Sequence, residues 1–258
     1  MFELFSDILT CRDNALTRLE PRTKVVIAFT AICAVLLSSV PALPLFFCAC
    51  ALAAMLVLRL PAKLVLLRVA APLGMVAMLF LLQLFMTGAT PWFSFTLAGF
   101  KLTAYTEGAH SGLLLGARVL GCVSVMLLLS AVTPAHRIFH ALRWFGFPKG
   151  WVEIAMLMYR YAFALVSEAN DVLEAQALRL GYSTSRRALS SVGVLAGTVL
   201  IRSIDQSLRT YEAMTLRGYR GSIPFGPLPK LNRREWLLLV LLPLAISGLF
   251  VLQEWRLW

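Results

Sequence analysis

The sequence predicts an all-α, polytopic helical membrane protein with a cytoplasmic helical domain. Three observations predict it. Hydrophobic residues make up 59% of the 258-residue chain and charged ones only 14%, against roughly 25% charged in an ordinary soluble domain. Apolar runs of spanning length recur, and Val25 to Leu58 carries no charge at all. The formal charge of +11 comes from 24 basic and 13 acidic residues, and the basic ones gather between the apolar runs, as in loops held on the cytoplasmic face. That pattern favours a lipid bilayer over nucleic acid as the chain's partner.

Residues 1–24 read as a cytoplasmic N-terminal segment ending in Leu19-Glu20-Pro21-Arg22-Thr23-Lys24. Residues 25–133 are expected to hold four transmembrane helices. One helix from Val25 to Leu58 would run about 50 Å, too long for a hydrocarbon core of about 30 Å. The Ser38-Ser39-Val40-Pro41-Ala42-Leu43-Pro44 patch divides it into two short spans. Arg59, Pro61, Lys63 and Arg68 then form a basic loop, and Val69 to Met86 is the third span. In the stretch that follows, Trp92, Phe93 and Phe95 suit an interface belt. Phe93 to Leu97 and Phe100 to Thr103 flank Ala98-Gly99 as a small hairpin.

The fourth span, Leu113 to Val132, contains Arg118. A charge there is costly in lipid, so either snorkelling to the outer headgroups or a partner such as Glu107 or a neighbouring subunit is expected. The five cysteines (Cys11, Cys33, Cys48, Cys50 and Cys122) lack metal-type spacing and read as small core residues.

Residues 134–235 change in character, with basic and apolar positions interleaved. Helices are predicted at Pro134–Phe145, Gly150–Leu180 and Arg186–Arg217, with Ser185 as N-cap of the last. The run Ala188 to Ile201, bracketed by Arg187 and Arg202, has 14 residues. That suits a buried or interfacial helix better than a crossing, and Gly193, Ala196 and Gly197 would let a membrane partner pack closely. Residues 236–258 supply the final span. Five crossings put 21 Lys and Arg on one side and only Lys101 and Arg256 on the other, so the N-terminus is expected inside and the C-terminus outside.

One phrase occurs twice. Glu174-Ala175-Gln176-Ala177-Leu178-Arg179-Leu180-Gly181-Tyr182 closes one long helix and Glu212-Ala213-Met214-Thr215-Leu216-Arg217-Gly218-Tyr219 closes the next. Each copy ends in glycine, expected to stop its helix in a left-handed conformation. Each places one arginine at the tip, with Ala175 or Ala213 one turn earlier on the same face. A single arginine at a helix end compensates the dipole. Two copies at matching ends point instead to docking, because a planar, permanent, multi-donor charge suits an acidic groove.

Catalytic machinery is not expected. The chain has no Gly-x-x-x-x-Gly-Lys loop for a nucleotide, no Gly-x-Ser-x-Gly elbow and no His-Glu-x-x-His motif, and only three histidines. His136 and His140 share a helix face, but without a third ligand nearby they read as part of a polar interfacial face. No metal site, catalytic residue or cofactor is expected.

Over nearly its whole length the sequence resembles the transmembrane coupling subunit, or T component, of energy-coupling factor (ECF) transporters, in particular the cobalt type. The likeness rests on Pro21-Arg22-Thr23-Lys24 before the first span, on the pattern of spans, and on Ala177-Leu178-Arg179-Leu180-Gly181 and Thr215-Leu216-Arg217-Gly218. The family's short Ala-Arg-Gly-like motifs are altered here: leucine precedes each arginine, and the first glycine is displaced by one. The resemblance implies a non-catalytic subunit joining two ATP-binding cassette ATPases to a small substrate-binding membrane subunit in the bacterial inner membrane. It implies ATPase docking by Arg179 and Arg217 with Ala175, Ala177, Gly181, Ala213 and Gly218, and transport of cobalt, with nickel or a vitamin as alternatives. A membrane scaffold without an ATP-linked cycle is the competing reading from another class.

Overall fold

The computed structural model describes residues 19–58, 62–86, 91–97, 100–222 and 233–255. Residues 1–18 with Cys11, Arg59 and Pro61 of the basic loop, the Ala98-Gly99 turn, the stretch 223–232 and Trp258 lie outside them. The described elements are α1 (Pro21–Leu37), α2 (Ala42–Val57), α3 (Ala62–Met86), β1 (Pro91–Leu97), β2 (Phe100–Tyr105), α4 (Thr106–Val132), α5 (Ala135–Trp144), α6 (Lys149–Leu178), α7 (Ser185–Leu216) and α8 (Arg233–Trp255). The two strands pair antiparallel, with Leu97 opposite Phe100. The chain divides into one compact unit of residues 1–138 and 230–258 and a second of 139–229.

In the first unit α4 is the hub, packing against α1, α2 and α3. Its sequence explains why. Between helices in lipid the hydrophobic drive is weak, so association depends on close backbone approach across small residues. Gly108, Gly112, Gly116 and Gly121 are all buried on α4. A methyl added at Gly116 would lie 2.9 Å from Val76 Cγ1 of α3, and one at Gly121 3.0 Å from the Pro44 carbonyl of α2. On the far side, Ala28, Ala31, Ala34 and Val35 of α1 form a core with Leu43, Val125 and Ile246. The free surface of α3 stays apolar, with Leu66, Leu67, Met75 and Met78 exposed. Such a face suits lipid rather than water.

Among the described residues four helices are long and apolar enough to cross a membrane: Leu66–Met86, Thr106–Val132, Ser185–Leu216 and Glu235–Gln253. The protein is thus a multi-pass, all-α membrane protein decorated by one small hairpin. At 17 residues α1 sits at the lower limit of spanning length, and at 16 α2 falls just below it. By that measure α7 qualifies, although its uncharged run alone looked too short. The reason is continuity: the helix is 32 residues long and carries apolar side chains past Arg202, at Ile204 and Leu208. The third and fourth helices also begin earlier than their uncharged runs. Lys63 and Arg68 belong to α3, and Glu107 opens α4, where its charge complements the positive end of the helix.

Arg118 has an internal partner of a kind the sequence does not advertise. Its Nε and Nη2 donate to the Ser38 carbonyl oxygen at 3.1 and 2.7 Å. Ser38 is the C-cap of α1, a position whose carbonyl lacks an intrahelical donor. The guanidinium caps a neighbouring helix, and its partner is Ser38 rather than Glu107. At the other end of α1, Arg22 and Thr23 are buried. There the Thr23 hydroxyl donates to the Glu20 carbonyl at 2.7 Å, Arg22 Nε lies 3.7 Å from the Glu20 carboxylate, and Lys24 Nζ donates to Val132 O at 3.4 Å. Lys24 thus ties the start of α1 to the last turn of α4.

The second unit is built on α6 and α7, two long helices folded back as an antiparallel pair. Three contacts mark the register: Gln176 with Ser191, Glu168 with Arg202 at 3.8 Å, and Tyr161 with Thr210 at 3.1 Å. Thr184, not Ser185, is the N-cap of α7, and its side chain makes no capping bond. Away from the turn the pair opens around a cleft of about 420 Å³ between Met158, Tyr161 and Leu165 on one wall and Gln206, Thr210 and Met214 on the other.

Candidate functional site

Both copies of the repeated phrase end their helices in the same backbone geometry. Arg179 is the C-cap of α6 and Arg217 the C-cap of α7. In the first copy Gly181 N–H donates to the Gln176 carbonyl at 2.9 Å and Leu180 N–H to that of Ala177 at 3.0 Å. In the second, Tyr219 N–H donates to the Met214 carbonyl and Gly218 N–H to that of Thr215, each at 3.0 Å. This is the paired six-to-one and five-to-two closure that satisfies the orphan carbonyls of a helix end. Each arginine therefore occupies an equivalent backbone position at its helix end.

The closure requires a left-handed residue straight after each arginine. In the second copy that residue is Gly218, at φ +83°, as expected. In the first it is Leu180, at φ 57°, and not Gly181. The repeat is thus aligned in space with Leu180 on Gly218, and the apparent spacer is the left-handed residue itself. Gly181 is glycine for another reason: a methyl there would lie 2.7 Å from Ser191 Oγ and 2.9 Å from the Gln176 carbonyl. Close approach of α7 to the turn excludes a side chain.

The tips are open. Arg179, Arg217, Ala175, Ala177, Ala213 and Gly218 are all exposed, and Gly181 is half-buried. Leu178 and Leu216, just before the arginines, are 87% and 89% exposed. Among the described residues neither guanidinium has a hydrogen bond or an ion pair. The structure does not bring the two tips together. Arg179 sits at the α6–α7 turn and Arg217 at the far end of α7, a helix of 32 residues and so about 48 Å long.

The small residues of α7 are also open. Gly193, Ala196 and Gly197 are exposed, and a methyl at either glycine meets nothing within 4 Å. They lie on a face that continues through Leu189, Val192, Leu200, Ile201 and Ile204, all exposed. The side of α7 towards α6 mixes polar Ser191, Ser203, Gln206 and Thr210 with half-buried Leu195, Val199 and Met214.

Sequence reasoning missed the group that holds the first tip. Gln176 Nε2 donates to the Ser191 carbonyl at 3.0 Å, and its Oε1 accepts from the Tyr182 hydroxyl at 2.7 Å. Ser191 Oγ donates to the Gly181 carbonyl at 3.1 Å. The available signal was the mismatch between copies, Gln176 against Met214 and Leu180 against Gly218. His136 is exposed and His140 half-buried, and among the described residues no three His, Cys, Asp or Glu side chains are placed to share a metal ion.

The family model described as CbiQ, cobalt transport protein, matches residues 12–225. An uncharacterized protein of Methanocaldococcus jannaschii is 32% identical over 211 residues, 81% of this chain and 79% of that protein. The cobalt transport protein CbiQ of Rhodobacter capsulatus is 35% identical over 95 residues, 37% of this chain and 39% of the relative. The family match takes in both units and both arginine tips, and the chain belongs to the CbiQ family of cobalt transport proteins.

Proposed function

We propose that this chain is the energy-coupling membrane subunit of an ECF-type, ATP-driven importer, with cobalt as the transported ion. The observation that carries the proposal is the pair of exposed arginines, without a hydrogen bond or ion pair among the described residues, on helix ends closed by the same pair of hydrogen bonds. Each would enter an acidic groove on one of two ATP-binding cassette subunits. Their separation by the length of α7 suits two separate ATPases better than one shared groove. With no phosphate-binding loop in its own sequence, the chain would leave ATP hydrolysis to those partners. Closure of the ATPases would displace the two ends of the α6–α7 pair, and the stiff helices would carry the motion to their flanks. The outward apolar face of α7 around Gly193, Ala196 and Gly197 would seat the small substrate-binding membrane subunit, with the α6–α7 pair on the cytoplasmic side of the bilayer.

Purification of the intact complex from its native membrane tests this reading. Two ATPase copies and one small membrane protein should accompany the chain, and cobalt uptake should depend on ATP. Recovery of the chain alone, or with partners that bind no nucleotide, would favour a scaffold role instead.

A further inference from the structure

The two arginine tips share a backbone geometry but are held by different means. Gly218 adopts its left-handed conformation freely, whereas Leu180 does so at φ 57° against the clash of its own Cβ with the following carbonyl. Nothing about the leucine side chain compensates, because it is 67% exposed. What surrounds the strained residue is a set of hydrogen bonds that the second tip lacks among the described residues. Gln176, in the position Met214 occupies in the other copy, reaches the Ser191 backbone with its amide and receives the Tyr182 hydroxyl on its carbonyl. Ser191 closes the loop by donating to Gly181 O. Every backbone segment flanking Leu180 is thereby tied to α6 or to the first turns of α7.

We infer that Gln176, with Ser191 and Tyr182, is a positioning residue that fixes the left-handed turn at Leu180 and so presents Arg179 for docking. This inference rests on the docking role proposed above. Strained backbone persists where its surroundings over-determine it, and the Gln176 side chain, on α6 before the strained residue, bonds across it to Tyr182 and to the Ser191 backbone beyond it. Without it, the Leu180 turn would relax towards right-handed conformations, and Arg179 would leave the helix end in several directions. The second tip needs no such group, because glycine populates the required conformation at no steric cost.

The test isolates one tip at a time, using the full-length chain in detergent with its two ATP-binding cassette subunits. In an Arg217→Ala background, where ATPase is retained through the Arg179 tip, Gln176→Met should weaken binding about fivefold, the loss of one or two hydrogen bonds. Adding Leu180→Gly should restore it, since glycine holds the turn unaided. In an Arg179→Ala background, Gln176→Met should leave binding through the Arg217 tip unchanged. Equal losses in both backgrounds would show general weakening of the helix pair and overturn the inference. So would full binding by Gln176→Met in the Arg217→Ala chain, or failure of Leu180→Gly to rescue. If Arg179→Ala and Arg217→Ala together cost no binding, the docking reading itself fails and this inference with it, an outcome the parent variants reveal before Gln176 is touched.

Discussion

Arg118 shows how one side chain can join two helices. Its guanidinium donates twice to Ser38 O at the end of α1. Hydrogen bonds to charged groups contribute about 1.5–3 kcal/mol, and a stranded buried acceptor costs about 1–3 kcal/mol. Arg118→Leu should therefore lower the thermal midpoint of the detergent-solubilised protein by an amount equivalent to about 1–3 kcal/mol, with Arg118→Lys intermediate. An unchanged midpoint would remove the capping role. That contact was illegible in the sequence, because the partner is a backbone carbonyl and composition reports only side chains. Gly181 was misread for a related reason. A glycine after a helix suggests a left-handed turn, yet here Leu180 takes that conformation and Gly181 makes room for Ser191. Gly181→Ala should accordingly loosen the turn although its backbone is not left-handed. Reduced ATPase retention confined to the Arg179 tip would report it, and an unaltered tip would contradict the steric account.

Elements were easier to read than contacts. Glycine and proline punctuation placed α5, α6 and α7 within two residues of where they lie, because these helices end at strong local signals. The starts of α3 and α4 were missed by about a turn or two, since charge was taken to mark the helix end whereas Lys63, Arg68 and Glu107 sit comfortably inside it. On α4 the small residues have measurable consequences. Replacing Gly116 by valine drives a methyl towards Val76, already 2.9 Å from an added Cβ, and overpacking of this kind costs about 1–3 kcal/mol. The α3–α4 pair should loosen, read as faster proteolysis of the intervening hairpin. Gly193 and Gly197 make the opposite case, because nothing in the chain opposes a side chain there. Gly193→Leu or Gly197→Leu should leave the isolated protein as stable as before yet release the small membrane subunit while both ATPases stay bound. Loss of the ATPases with the small subunit retained would refute that assignment of the face.

The whole molecule divides into a unit of residues 1–138 and 230–258 and a second unit that holds the long helical pair, and the charge distribution relates the chain to the bilayer. The bias of 21 basic residues against two predicts that cysteines introduced near Lys63 and Ser183 are labelled from the cytoplasm and those near Ser39 and Lys101 from outside. Labelling at Ser183 from outside would place the α6–α7 turn across the membrane, as the apolar length of α7 would permit, and would end the docking scheme. If the scheme holds, force enters the protein at two points about 48 Å apart and leaves along the apolar face between them. Its most direct test is the Arg179→Ala, Arg217→Ala double variant, assayed for membrane insertion, ATPase co-purification and ATP-dependent cobalt uptake. The account predicts normal insertion with both ATPases and transport lost, and partial rescue by lysine, which keeps the charge but not the planar fork. A double variant that inserts, holds both ATPases and transports at the normal rate would contradict it.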